Sequence, residues 1–142
     1  MDPKEVEKEI IEEFAILSDW TEKYEQLIYI GKQLPPVPDH LKIDKYLIKG
    51  CQSKVWLIPE CKNGAIKFTA DSDTLITRGL IALLLRVVQH MSPHEIINYD
   101  FSFIKEIGLE HHLSPTRSNG LHSMINTIKE EAYKCLKGLS TP

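Results

Sequence analysis

Asn63-Gly64 lies between two runs of alternating apolar and polar residues, an arrangement that commits the middle of the chain to a β-hairpin. In the first run, Ser53 to Pro59, Val55 and Leu57 alternate with Trp56 and Ile58. In the second, Ile66, Phe68 and Ala70 alternate with Lys67, Thr69 and Asp71. Tyr46-Leu47-Ile48 adds a third short strand, so the expected sheet is small, antiparallel and three-stranded. Antiparallel pairing places Cys51 beside Ser72 at the open end of the hairpin. Cys61 then falls near the turn, far from Cys51.

Helical patterns flank the hairpin, and the fold class expected is α+β, with the sheet packed against helices. Asp2-Pro3 and Glu5 read as a capped start, followed by Val6, Ile10, Phe14 and Leu17 at helical spacing. Asp19 and Glu22 cap a second helix carrying Trp20, Tyr24, Leu27, Ile28 and Leu34. Pro35-Pro36-Val37-Pro38 stops it, because proline neither donates nor tolerates the helical turn. Ser72-Asp73 is expected to cap a third helix whose apolar residues, Leu75 to Met91, cover more than one face. Ser92-Pro93-His94-Glu95 starts a short helix, and Gly108 ends a later one. His111 to Gly120 reads as a polar loop, with the last helix beginning at Leu121.

The length of 142 residues fits one domain, read as 1–142, with enough chain to bury a core. A net charge of −3 makes no electrostatic case for nucleic acid. The apolar stretch from Leu75 to Val88 is interrupted by Arg78 and Arg86, so no membrane span is expected. The charged start Met1-Asp2-Pro3-Lys4-Glu5 does not resemble a secretory signal, so the expected location is cytoplasmic. Three cysteines with no C-x-x-C pair are then expected to be free thiols, Cys61 and Cys135 being incidental.

Chemistry concentrates in Gly50-Cys51-Gln52-Ser53-Lys54-Val55-Trp56. Cys51 follows a glycine at a strand entry, and Lys49 and Lys54 lie close enough in sequence to favour a thiolate. The N-terminus of the third helix starts near the same end of the hairpin and adds partial positive charge. Gln52 and Ser53 supply hydrogen bonds to a sulfur anion. A buried cysteine acting only as a small hydrophobe is the alternative. The histidines His90, His94, His111, His112 and His122 show no catalytic spacing relative to Cys51, and no phosphate-loop, dinucleotide or metalloprotease motif occurs. His111-His112 with Cys51 offers metal-ligand chemistry, but no metal site is expected.

Three segments resemble the SufE family of sulfur acceptors in iron–sulfur cluster assembly. They are Gly50 to Trp56, Asp71-Ser72-Asp73 ahead of Arg78-Gly79-Leu80-Ile81-Ala82, and His112-Leu113-Ser114-Pro115-Thr116-Arg117-Ser118-Asn119-Gly120-Leu121. The likeness runs from about Phe14 to the last helix. It implies a fold like that of SufE and of the scaffold proteins of the related Isc system. It also implies that Cys51 accepts sulfane sulfur from the persulfide of a PLP-dependent cysteine desulfurase, SufS-like or CsdA-like, and stimulates that enzyme. The sulfur then passes to a SufBCD-like cluster scaffold. The close paralogue CsdE works with a different desulfurase.

On this resemblance the chain is a sulfur-relay partner rather than an enzyme and needs no cofactor of its own, the PLP belonging to the desulfurase. Arg117, Asp71 and Asp73 are assigned either to holding the Cys51 loop or to touching the partner. The loop is expected to tuck against the core, with Trp56 and the central helix as its shelter, and to swing out on docking. The rival reading is a scaffold that itself holds an iron–sulfur cluster or zinc.

Overall fold

The computed structural model describes residues 2–139. Met1 and the last three residues of the 1–142 expectation therefore lie outside the described residues, as does Met1 in the reading of the charged start. Two helices come first, α1 (Pro3–Ala15) and α2 (Trp20–Lys32). Asp2 caps α1 by accepting from the Lys4 amide, and Asp19 caps α2 by accepting from the Glu22 amide. Each such cap is worth about 1 kcal/mol. After the proline-rich connection and two 3-10 turns, strands β1 (Val55–Lys62) and β2 (Ala65–Ser72) form the hairpin. Its register runs from Val55 opposite Ser72 to Lys62 opposite Ala65. Asn63 and Gly64 both take the left-handed conformation that a two-residue turn of this kind requires.

Among the described residues the sheet has two strands, not three. The expected strand at Tyr46-Leu47-Ile48 makes a single bridge, Leu47 to Trp56, with the Ile48 amide donating to the Val55 carbonyl. A 3-10 turn occupies Asp44–Tyr46, and Gly50, with φ +92°, turns the chain again, so too few extended residues remain for a ladder.

Helix α3 (Leu75–Val88) is the centre of the core, with ten of its fourteen residues buried. That is why its apolar residues cover more than one face. One side meets β2, another α1 and α6, and a third α2. The α2 crossing is close because Gly79 faces Leu27: a Cβ at 79 would overlap the Leu27 backbone. Arg86 is not in the core. It forms a two-pronged ion pair with Glu13 and lies 3.5 Å from Glu9, fastening α1 to α3. Burial works against the Arg86 charge, but the Glu13 hydrogen bonds come first and raise its pKa.

Helices α4 (Pro93–Ile97) and α5 (Phe103–Glu106) follow, with Gly108 in the left-handed conformation after α5. The last helix, α6, runs Pro115–Leu136 and packs on α4 and α3. It begins six residues before the expected start at Leu121. Ser114 caps it by accepting from the Arg117 amide, and Pro115 occupies the first turn. This is the same Ser-Pro opening that marks α4, and it turns most of the expected loop into helix.

Cys61 and Cys135 are not free. They form a disulfide with Cα atoms 5.6 Å apart, across 74 residues of sequence. Spacing gave no hint of the pairing because it is made by tertiary structure: the last turn of α6 lands on the hairpin close to its turn. Among the described residues, no helix is long and apolar enough to cross a membrane.

Candidate functional site

Cys51 sits in a bend between the Gly50 turn and β1. Gly50 is required there twice over. Its φ of +92° suits glycine, and a Cβ would press into Ser123 Oγ of α6. The bend is then pinned to the start of α3 by three contacts. The Lys54 amide donates to Asp73 Oδ1 at 3.0 Å, the Asp73 amide donates to the Lys54 carbonyl at 3.2 Å, and Ser72 Oγ donates to the same carbonyl at 2.8 Å. Thr74 Oγ1 donates to Ser53 Oγ at 3.2 Å. The expected proximity of the Cys51 loop to the N-terminus of α3 is thus present. Asp73 does not cap α3: the capping position is Thr74, which makes no side-chain cap bond, because the Asp73 carboxylate is committed to Lys54.

The Cys51 thiol is half-buried and lies 3.6 Å from the Gly120 carbonyl oxygen, to which it donates. A pocket of about 380 Å³ opens over it. Gln52 and Ser53 line its hairpin side, Thr77 and Leu80 its α3 side, and Ser114, Thr116, Arg117, Gly120 and Met124 its α6 side. Thr77, Leu80, Gly120 and Met124 are buried, while the exposed Gln52, Ser114, Thr116 and Arg117 give a polar rim. Among the described residues, no histidine, carboxylate or second thiol lines the pocket, so no general base from them faces Cys51. Among the described residues, no three His, Cys, Asp or Glu side chains converge elsewhere. His112 stacks on Trp20 with ring centres 3.9 Å apart, and His122 lies 3.6 Å from Glu110.

Burial pushes the Cys51 thiol up from 9.0. The acceptor carbonyl favours the neutral S–H in the same sense. The expected bias toward thiolate is therefore reversed in the free chain. Lys49 and Lys54 do not help, because both side chains are exposed and neither lines the pocket. Lys49 lines a different cleft, the one beside Cys61.

Arg117 is exposed on the rim, and among the described residues its guanidinium has no carboxylate within ion-pair distance. Among the described residues it is the one cation lining the pocket. Asp71, by contrast, lies outside the pocket and is 6% exposed. Its carboxylate meets Lys42 Nζ at 2.9 Å, accepts from the Ser72 amide at 2.8 Å and lies 3.2 Å from Arg78 Nε. The Arg78 N–H is not aimed along that line, so this last contact is one of charge rather than a hydrogen bond. Burial alone would raise the Asp71 pKa, but Lys42, the Ser72 amide and Arg78 outweigh it and hold the carboxyl below its usual range.

The structure thus gathers Cys51, Gln52, Ser53 and Arg117 at one mouth, while Asp73 holds the loop from behind and Asp71 stands apart. The tucked position of the loop is present, but its shelter comes from α3 and α6 rather than from Trp56. Trp56 lies on the other face of β1 from Val55 and Leu57, under Lys42 Nζ. Sequence reasoning missed Thr77, Met124 and above all Gly120. The available signal for Gly120 was Ser114-Pro115, which starts a helix early enough to carry it to Cys51.

Comparison with known proteins gives the family and the fold. The model of the family SufE, described as an Fe-S metabolism associated domain, matches residues 8–132. An uncharacterized SufE-like protein of Rhizobium meliloti is 38% identical over 129 residues, covering 87% of this chain and 92% of its own. One from Rhizobium etli is also 38% identical over 129 residues, covering 87% of each chain. The solution structure of a hypothetical protein from Thermus thermophilus superposes with a TM-score of 0.76 over 96% of this chain and 99% of that one. At 19% identity, that likeness speaks for the fold alone.

Proposed function

The chain belongs to the SufE family, and on that premise we propose that Cys51 is a sulfur acceptor serving iron–sulfur cluster assembly. The observation that carries the reading is a lone, half-sheltered thiol in a pocket with no general base. Such a thiol suits sulfur carriage better than hydrolysis. A hydrolytic cysteine needs a partner to take its proton and another group to orient that partner. A carrier needs a nucleophile that is protected when idle and released on docking.

In the proposed step the Cys51 thiol first loses its proton to solvent or to the partner. The thiolate attacks the terminal sulfur of the persulfide on a cysteine desulfurase. The S–S bond of that persulfide breaks, its cysteine leaves as a thiolate, and a persulfide forms on Cys51. The chemistry parallels thiol–disulfide exchange. Attack by a thiol of a cluster scaffold then passes the sulfur on.

The resting thiol is held neutral by burial, so docking must draw the loop away from Gly120 and into a more polar setting. Arg117 supplies positive charge at the rim that favours the thiolate once it moves. Gln52 and Ser53 supply hydrogen bonds, Asp73 positions the loop through Lys54, and Asp71 sets the hairpin beside it. The chain is a relay partner and activator rather than an enzyme, and it carries no cofactor of its own. The PLP belongs to the desulfurase, and the setting is the cytoplasm.

The test is turnover of a PLP-dependent cysteine desulfurase, read as sulfide released from cysteine in the presence of a reductant. Adding the chain should raise the rate, and Cys51→Ser should not. Equal stimulation by the Cys51→Ser variant overturns the reading.

A further inference from the structure

The Cys61–Cys135 disulfide joins the same two elements that meet at Cys51. From Val55 to Cys61, β1 spans about 20 Å at the usual strand rise. From Gly120 to Cys135, α6 spans about 22 Å at the usual helical rise. The bend leading into β1 meets α6 near its start, and β1 itself meets α6 near its end, each time through sulfur. At one end the Cys51 thiol meets the Gly120 carbonyl, and at the other Cys61 is bonded to Cys135. We propose that Cys61–Cys135 is a two-electron redox site, exchanging with low-molecular-weight thiols and disulfides, and that its state sets how firmly α6 shields Cys51.

The two sulfurs are not equally placed. Cys135 is 5% exposed, whereas Cys61 is half-buried and lines a cleft of about 570 Å³ with Lys45, Lys49 and Lys134 and the acids Glu130 and Glu131. A small thiolate reaches the Cys61 sulfur through that cleft. Reduction by a dithiol then proceeds in two balanced steps. The reagent thiolate attacks Cys61 Sγ, the S–S bond breaks, and Cys135 leaves as a thiolate that takes up a proton. The second thiolate of the reagent attacks the mixed disulfide, releases Cys61, and forms the reagent's own disulfide. Two electrons have passed to the protein. A low-molecular-weight disulfide, as oxidant, reverses both steps.

With the bond open, this end of α6 loses its covalent tie to the hairpin. Beyond Ala132 and the small Cys135 side chain, its last residues are exposed. What then keeps α6 over the Cys51 loop is its packing on α4 and α3 through Leu121, Met124 and Ile128, the thiol–carbonyl contact, and Gly50 against Ser123. The site does not serve as a resolving partner for Cys51, because the strand from Val55 to Cys61, about 20 Å long, lies between them. The inference stands independently of what Cys51 carries, so its failure and the failure of the sulfur-acceptor reading are distinguishable.

The test is the rate at which iodoacetamide modifies Cys51, read on the Cys51 peptide by mass spectrometry, with no desulfurase present. The full chain is compared oxidised and after dithiothreitol treatment and desalting. Intact mass should differ by about 2 Da between the states, the two hydrogens gained on reduction. Cys51 should react severalfold faster in the reduced chain. The Cys61→Ser/Cys135→Ser chain should match the reduced rate with or without dithiothreitol. Equal Cys51 rates in the oxidised and reduced native chain overturn the proposal, as does the absence of the mass difference. Loss of the helical circular-dichroism signal on reduction also overturns it, since the bond is then a structural staple only. If the double variant does not fold, the two states of the native chain decide the matter.

Discussion

Asp73 and Lys54 hold each other by a reciprocal pair of hydrogen bonds. The Lys54 amide donates to the Asp73 carboxylate, and the Asp73 amide donates to the Lys54 carbonyl. Lys54 lies three positions after Cys51, so this clasp fixes the far end of the bend that carries the thiol. Asp73→Ala removes the carboxylate half, a loss of about 1 kcal/mol. The expected outcome is faster amide exchange across residues 50–54, with the melting temperature lowered by about 3–4 °C. Unchanged exchange there means that the carboxylate half of the clasp does not hold the bend.

The other end of the bend is set by Gly50. Gly50→Ala places a side chain at φ +92° and drives it into Ser123 Oγ. The backbone strain alone is about 1–2 kcal/mol. Thermal unfolding should show at least that loss, and adding Ser123→Ala should restore part of it. If the two changes are simply additive, Ser123 does not press on this turn in solution.

The raised pKa of Cys51 has a consequence for stability. Its folded pKa lies above its unfolded value, so burial of the neutral thiol contributes stability at low and neutral pH. That contribution is lost as pH rises through the folded pKa. Between pH 7 and pH 10 the native chain should therefore lose more stability than Cys51→Ser, which has nothing to ionise. Parallel melting curves for the two chains contradict the buried thiol.

Asp71 shows the opposite sign. Its folded pKa lies below its unfolded value, so its stability is present above the unfolded pKa and lost as pH falls through the folded one. Asp71→Asn leaves Lys42 and Arg78 without their anion, at a cost of about 2 kcal/mol near neutral pH. The gap between native chain and variant should narrow as pH drops from 7 to 3. A constant gap across that range means that the charge of Asp71 is not what stabilises the fold.

How much of this was legible in the residues follows from where the forces act. Asn63-Gly64 and the two alternating runs encode the hairpin locally, and Asp2, Asp19 and Ser92 encode their own caps. The burial of α3 was visible in its all-round apolar pattern. Cys51, Gln52 and Ser53 stand out from their local residues and Arg117 from the family resemblance, and the structure brings them to one pocket. What stayed hidden depends on distant packing. Ser72-Asp73 has the composition of a helix cap, but Lys54, nineteen residues earlier, takes the Asp73 carboxylate. Lys49 and Lys54 look like neighbours of a thiolate, yet both side chains are exposed and burial by α3 and α6 decides the Cys51 pKa. Cys61 and Cys135 pair across 74 residues, and only the run of α6 beside the hairpin makes them neighbours.

The most direct measurement of the central claim is the intact mass of the chain after mixing with a PLP-dependent cysteine desulfurase and cysteine, without reductant. The expected result is one or more increments of about 32 Da, each a sulfur atom, located on the Cys51 peptide, with Cys61 and Cys135 still bonded to each other. Increments that persist in Cys51→Ser, or none in the native chain, contradict the account.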